Sequence, residues 1–462
     1  MIELYFIDWL IIGIYFVIII WVGIYRSKVK SPSEETFILS GRKLSLPGFV
    51  ATLVTTWYGG ILGVGENTYL YGIQTWFIFG LPYYVFAMIY ATWAAPRIQK
   101  SKMISIPDHF RFHFGEQSGV ISAFLLVLLT SPAPYILSMG VLIQSIFQIE
   151  LGFSLLFATL FSVVYVWNGG FSAVINTDII QFIFMFLGFM LLVIFCWGNF
   201  GSPISIYESL SAIHKDPLGG NSVQYLFIWF FIAIWTMIDP GFYQRCAAAK
   251  SPEIAKKGLF ISIGFWLIFD FLTVLSGLYA VMEIKTENPL FAFPLLGLKV
   301  LPPAILGIFI VGIFATLMST IDSFSLISAI TFGRDILWRI KKPVSKHNSI
   351  PLVKKGLVII SFISLLLAFA IPSVVQLFYT LGSVLIPGLI LPFLYTLRTH
   401  VSISKETPGN LWIILPVITS MIWLFISFML HEPFMNIEPF YPGFILSIIL
   451  GVYFQNIHLK NI

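Results

Sequence analysis

Residues 54–72 read VTTWYGGILGVGENTYLYG. The run sits inside an otherwise apolar segment, 46–72, and breaks it with Thr55, Thr56, Gly59, Gly60, Gly63 and Gly65. Glycine weakens a helix, and backbone released at membrane depth is tolerated only where it is buried in protein or lines a cavity. A second interruption, IWTMIDPGFYQR at 234–245, places Asp239, Pro240 and Gly241 in another apolar segment. There proline removes a helical hydrogen bond. The two interruptions occupy corresponding positions in two five-helix halves, 46–198 and 223–397. Such a pair marks an inverted-repeat transporter with its site between the broken helices. Close packing through small residues explains one such run equally well, but not the matched pair.

Composition sets the class around these breaks. The 462 residues are 58% hydrophobic and only 10% charged, which describes a polytopic membrane protein rather than a soluble domain. Thirteen apolar spans are expected, near 6–26, 46–72, 75–96, 117–147, 153–167, 171–198, 223–246, 258–282, 302–333, 353–371, 374–397, 411–430 and 440–456. The first lacks a basic leader and is followed by Arg26, Lys28 and Lys30, so it reads as a retained helix with the amino terminus outside. Threading thirteen spans from that start puts every Lys and Arg on the inner side except Lys215, Lys285 and Lys299, as the positive-inside rule requires. The carboxyl terminus then lies in the cytoplasm, and a cell (inner or plasma) membrane is the expected location. The net charge of +5 is thus a topology signal and does not imply nucleic acid. Cys196 and Cys246 fit no metal or redox spacing and read as packing residues. GVGENT at 63–68 lacks the third glycine and the strand-turn-helix context of a nucleotide loop.

The ninth span contains ATLMSTIDSFS at 315–325, with Ser319 beside Thr320 and then Asp322 and Ser323 one turn on. Ionisable groups at membrane depth are functional hypotheses by default. Sodium is a hard cation that prefers oxygen ligands, and hydroxyls next to carbonyls freed by an unwound helix supply them. Back-bonding to the preceding turn is the plainer use of a Ser-Thr pair.

GGFSAVINTDIIQ (169–181), DPGFYQRCAAAKS (239–251) and ATLMSTIDSFSLISAITFGRDI (315–336) together resemble signature segments of the sodium/solute symporter family, and the similarity runs over nearly the whole chain. TTWYGG at 55–60 and MSTIDSFSLISA at 318–329 resemble the choline-transporting branch. The resemblance implies the leucine-transporter fold: a 5+5 inverted-repeat core with discontinuous helices. Here 1–45 forms an extra helix and inner loop, 46–198 and 223–397 the repeats, and 398–462 two C-terminal helices. It also implies co-transported sodium, held by Ser319 and Thr320 with carbonyls of Leu53, Thr56 and Thr316. A second cation position is implied at Asp178, Asp322 and Ser323. The competing reading pairs Asp178 with nearby backbone or with Arg334. For the solute the resemblance points to Trp57, which faces an organic cation in choline-type members, and to Thr55 and Tyr84. Asp239 departs from both sugar-type and choline-type patterns, so it either complements an amine or caps the broken helix. Glu66, Tyr83 and Trp235 are further lining candidates, and Asp270 in the eighth span is unexplained.

The expected activity is therefore sodium-coupled import of a small, amine-like or amino-acid-like solute by alternating access. The partners are the solute and the lipid bilayer, with no obligate protein partner evident. Proton coupling and a transporter-like membrane sensor are the alternatives. A sensor needs an output domain, which no loop of this chain is long enough to hold. An intramembrane enzyme is not expected, since neither HExxH nor GxSxG occurs.

Overall fold

A computed structural model describes residues 3–26, 32–341, 348–371, 374–398 and 409–460. Lys28, Lys30, Lys342, Lys346 and Lys405 of the basic loops lie outside them. The described residues are helical, with one isolated bridge between Leu44 and Ala249 in place of any strand. Among the described residues eleven helices are long and apolar enough to cross a membrane, or twelve with one bent pair taken as a span, and a shorter apolar helix follows at Phe440–Phe454.

Helix α1 (Phe6–Trp21) precedes the bent pair α2 (Leu46–Trp57) and α3 (Ile61–Tyr71), whose axes differ by 54°. The span Gln74–Ser101, α4, leads into the short helix α5 (Ile106–Phe114). The fourth span, expected as one run, is α6 (Glu116–Leu129) and α7 (Ala133–Phe147), parted at Thr130–Pro132. Pro132 and Pro134 supply the reason, because neither donates a backbone hydrogen bond. Helices α8 (Leu151–Gly169) and α9 (Phe171–Phe200) complete the first half.

The second half opens with another broken span. It runs as α10 (Val223–Ile232), a 3₁₀ stretch Ala233–Ile238, and then α11 (Pro240–Ala248). Helices α12 (Pro252–Glu283), α13 (Ile305–Ile330), α14 (Ile350–Ala370) and α15 (Val374–Arg398) follow, and α16 (Gly409–Leu430) and α17 (Phe440–Lys460) close the chain.

Helix α13 runs through the middle of the molecule, with almost every side chain buried, while α1 and α16 present Phe6, Val17, Phe425 and Phe428 outward. That inversion suits a body dissolved in hydrocarbon, where outward apolar residues meet lipid. The extra helix α1 has a specific attachment. The buried Asp8 accepts from the backbone N–H groups of Ala304 and Gly307, both at 2.8 Å, and so caps α13. A Cβ at Gly307 would lie 2.8 Å from the Asp8 Cα, so the approach needs glycine.

Candidate functional site

The first break comes where Tyr58, Gly59 and Gly60 follow α2. Gly59 is required there: a Cβ would sit 2.5 Å from Thr320 Cγ2 and from Tyr135 Cδ1. This contact brings the broken helix against the middle of α13. Thr320 Oγ1 donates to the carbonyls of Thr56 at 3.0 Å and Thr316 at 3.2 Å, so three of the five residues expected around sodium converge. Leu53 is buried in the same helix and lines the cavity described below. Ser319 turns toward α9, donating to Asp178 Oδ1 at 2.6 Å. Thr52, which sequence reasoning passed over, donates to the other oxygen of Asp178.

Arg245 is the largest departure from expectation. Counted by the threading with the charges of the inner side, it is instead fully buried in α11, the second piece of the second broken span. One guanidinium nitrogen reaches Thr52 Oγ1 at 2.9 Å, Thr56 Oγ1 at 2.8 Å and Ser323 Oγ at 2.7 Å. The same nitrogen lies 3.9 Å from Asp178 Oδ2, and both side chains are 0% exposed. The guanidinium carbon stands 5.2 Å above the Phe171 ring. Asp178 thus pairs with Arg245, correcting the competing assignment to Arg334. Of the residues named for a second cation, Asp178 and Ser323 surround this resident cation, and Asp322 is buried beside them on α13.

Arg334 belongs to a separate network at the far end of α13. It bonds Glu34 at 2.7 Å, Asp108 at 2.9 Å, and Asp335, while Arg111 and Arg339 also meet Asp108. Burial works against charge on Asp108, but Arg334, Arg111 and Arg339 outweigh it and hold its carboxyl below the usual value. The network ties the short helix Glu34–Leu39 and α5 to the end of α13.

Between the two breaks lies a cavity of about 130 Å³. Trp57, Tyr83 and Trp235 line it, and Trp57 lies 4.8 Å from Tyr83 and 5.5 Å from Phe242 in the wall and 5.4 Å from Trp266 behind it. Asp239 lines it too, but its Oδ1 accepts the Phe242 N–H at 2.9 Å, which is an N-cap on α11. Thr55 is not in the wall: its hydroxyl bonds back to Ala51 O at 2.9 Å, the ordinary use of threonine in a membrane helix. Tyr84 stands behind the wall and donates to Asp270, which does line the cavity.

The family model described as "SSF: Sodium:solute symporter family" matches residues 37–427. The chain belongs to the sodium:solute symporter family. Membership carries the class of activity, sodium-coupled symport of a small solute across a membrane. The chain is 25% identical to the osmoregulated proline transporter OpuE of Bacillus subtilis over 96% of its length and 93% of the relative's. It is 26% identical to the sodium/glucose cotransporter of Vibrio parahaemolyticus, over 93% of this chain and 87% of that one. It is 24% identical to the high-affinity choline transporter 1 of Drosophila melanogaster, over 79% of this chain and 62% of the relative. In fold it matches a Na+-coupled sialic acid symporter in a substrate-bound outward-open state, with TM-score 0.77, 17% identity and coverage of 100% and 99%. The nucleobase-cation-symport transporter MHP1 follows at TM-score 0.61, with 13% identity and coverage of 94% and 96%. The leucine-transporter-like architecture with discontinuous helices is therefore the fold of this symporter.

Proposed function

We propose that this symporter imports a small organic solute bearing an amine, driven by a sodium ion bound where α2 breaks against α13. One observation carries the sodium assignment: Thr320 Oγ1 bridges the Thr56 and Thr316 carbonyls beside Ser319, so backbone and hydroxyl oxygens from a broken and a continuous helix meet at one point. A cation there offsets the lone pairs of both helices at once and favours the arrangement in which they touch. The solute occupies the aromatic cavity next to it, with Trp57 offering a ring face to a positive charge. Sodium binding and solute binding then reinforce each other by the same free energy in both directions. Arg245 already supplies a positive charge at Asp178 and Ser323, which favours one sodium per cycle over two.

The sodium site is tested without knowing the solute. In the purified protein sodium should raise the melting temperature. Replacing Ser319 and Thr320 together with alanine should raise the sodium concentration for half-maximal shift by about tenfold, on the order of 1.4 kcal/mol of ion binding. An unchanged sodium response in a folded double mutant would refute the site, and a response to protons in place of sodium would favour the proton-coupled alternative.

The proposed orientation has the amino terminus outside, the carboxyl terminus in the cytoplasm and the Arg334 network on the inner side of a cell membrane. Single cysteines at residues 3 and 341 should be labelled by an impermeant reagent from opposite sides of intact cells, with residue 3 reacting from outside. Labelling of residue 341 from outside would invert the assignment.

A further inference from the structure

Three charged residues line the central cavity: Asp239, Arg245 and Asp270. Two already have duties, since Asp239 caps α11 and Arg245 is bonded to Thr52, Thr56 and Ser323. Asp270 does neither. Among the described residues no Lys, Arg or His pairs with it, and its neighbours are neutral: Tyr84 donates to it, and the nearby Tyr58 hydroxyl donates to Trp266 O at 3.0 Å. A carboxylate that far from water without a positive partner is costly.

The surroundings show what would relieve that cost. Trp266 lies four residues before Asp270 on α12, so ring and carboxylate share a helix face one turn apart. Trp266 is 5.4 Å from Trp57 and 5.6 Å from Phe242, and Trp76 lines the wall near Asp270. Gly80 keeps the flank open, because a Cβ there would stand 3.1 Å from Asp270 Oδ2. A carboxylate facing a cluster of ring faces is suited to one ligand chemistry, a compact positive charge with apolar substituents. An anionic solute would meet repulsion, and a neutral solute would leave the Asp270 carboxylate without a positive partner.

We propose that Asp270 is the anion that anchors the solute, and that the solute is a monovalent organic cation, an amine or quaternary ammonium held between Asp270 and the rings of Trp57 and Trp76 in the same cavity wall. This rests on the symporter reading above and moves the charge partner from Asp239, the residue the sequence suggested, to one turn beyond Trp266 on α12.

The test uses the full-length protein in sodium, with choline, ethanolamine and the neutral choline isostere 3,3-dimethylbutan-1-ol as probes in calorimetric titration. Choline or ethanolamine should bind, and the neutral isostere should bind about tenfold or more weakly than choline. Asp270→Asn should erase the preference of cation over isostere while leaving the sodium-induced thermal shift as in the parent. Tyr84→Phe, which keeps the charge, should preserve the preference and so separates charge from packing. Binding of neither cation, equal binding of choline and isostere, or an Asp270→Asn protein that still discriminates overturns the proposal. Loss of the sodium shift in the parent protein would instead sink the symporter site, so the two failures are distinguishable.

Discussion

At the first break the chain leaves α2 through Tyr58, Gly59 and Gly60 and brings in no charge; at the second it enters α11 through Asp239 and Pro240 and carries Arg245 inward. Both interrupt a span at the same cavity, yet their chemistry is complementary. The first break offers acceptors, the Thr56 carbonyl and the hydroxyls of Thr52 and Thr56, and needs glycine so that Thr320 can come close. The second seals its own N–H groups with a carboxylate and extends a five-donor guanidinium into the acceptors of the first. The halves of the fold are matched in architecture and unlike in function. The first leaves acceptors for the sodium ion proposed above, and the second supplies a fixed cation. Because Arg245 also bonds Ser323 on α13, it joins both broken spans to the continuous helix they are expected to move against.

The sharpest way to break this comparison is to remove the fixed cation. Arg245→Gln should destabilise the protein by about 3–5 kcal/mol in sodium-free buffer, since Asp178 is left buried and uncompensated. Chemical denaturation followed by tryptophan fluorescence reads it. Sodium should recover more stability in the mutant than in the parent, because the vacated position now needs a cation. A mutant as stable as the parent, with the same sodium response, would mean that the two breaks are not complementary in charge.

Asp239 gives a smaller effect that sharpens the second half of the comparison. Asp239→Ala should cost about 1–2 kcal/mol through loss of the α11 cap. Asp239→Ser keeps a capping oxygen without the charge and should recover most of that loss. If serine behaves like alanine, the carboxylate charge and not the cap is what the second break requires.

What the sequence made legible follows from which signals are local. The breaks were readable because Gly-Gly and Asp-Pro-Gly disturb helices wherever they occur. The pairing of Thr56, Thr316 and Thr320 was readable through the resemblance, since backbone acceptors depend little on neighbouring side chains. Thr55 shows the limit: two adjacent threonines look alike in sequence, but α2 turns Thr56 toward α13 and leaves Thr55 to bond its own helix. Arg245 was misplaced because a basic residue at a span's inner end is indistinguishable from an anchoring loop charge until Thr52, 193 residues away in sequence, is seen to meet it. The Arg334 network and the Asp8 cap are hidden for the same reason, joining residues 226 to 300 and 296 to 299 positions apart.

The smallest effect concerns how the second break is held from the α5 side. His109 Nε2 lies 3.0 Å from the Tyr243 hydroxyl on α11, while its own carbonyl meets His113 Nδ1 at 2.9 Å. Burial, aided by His113 and opposed by Asp108, pushes the His109 imidazole down to about 3. A base depressed in this way stays neutral in the folded protein, whereas the unfolded chain takes up a proton below about 6.5. Stability is therefore unaffected above that pH and falls as pH drops from 6.5 toward 3. At pH 6 the loss from this one group is about 0.8 kcal/mol, and at pH 5.5 about 1.4 kcal/mol. His109→Gln can still bond Tyr243 but does not titrate, so its stability should decline less steeply than the parent's between pH 7 and 5.5. Equal slopes would show that α5 opens and admits a proton to His109 before the protein unfolds. In that case α11 is held less tightly than the first broken span, which meets α13 through the Thr56 carbonyl and hydroxyl.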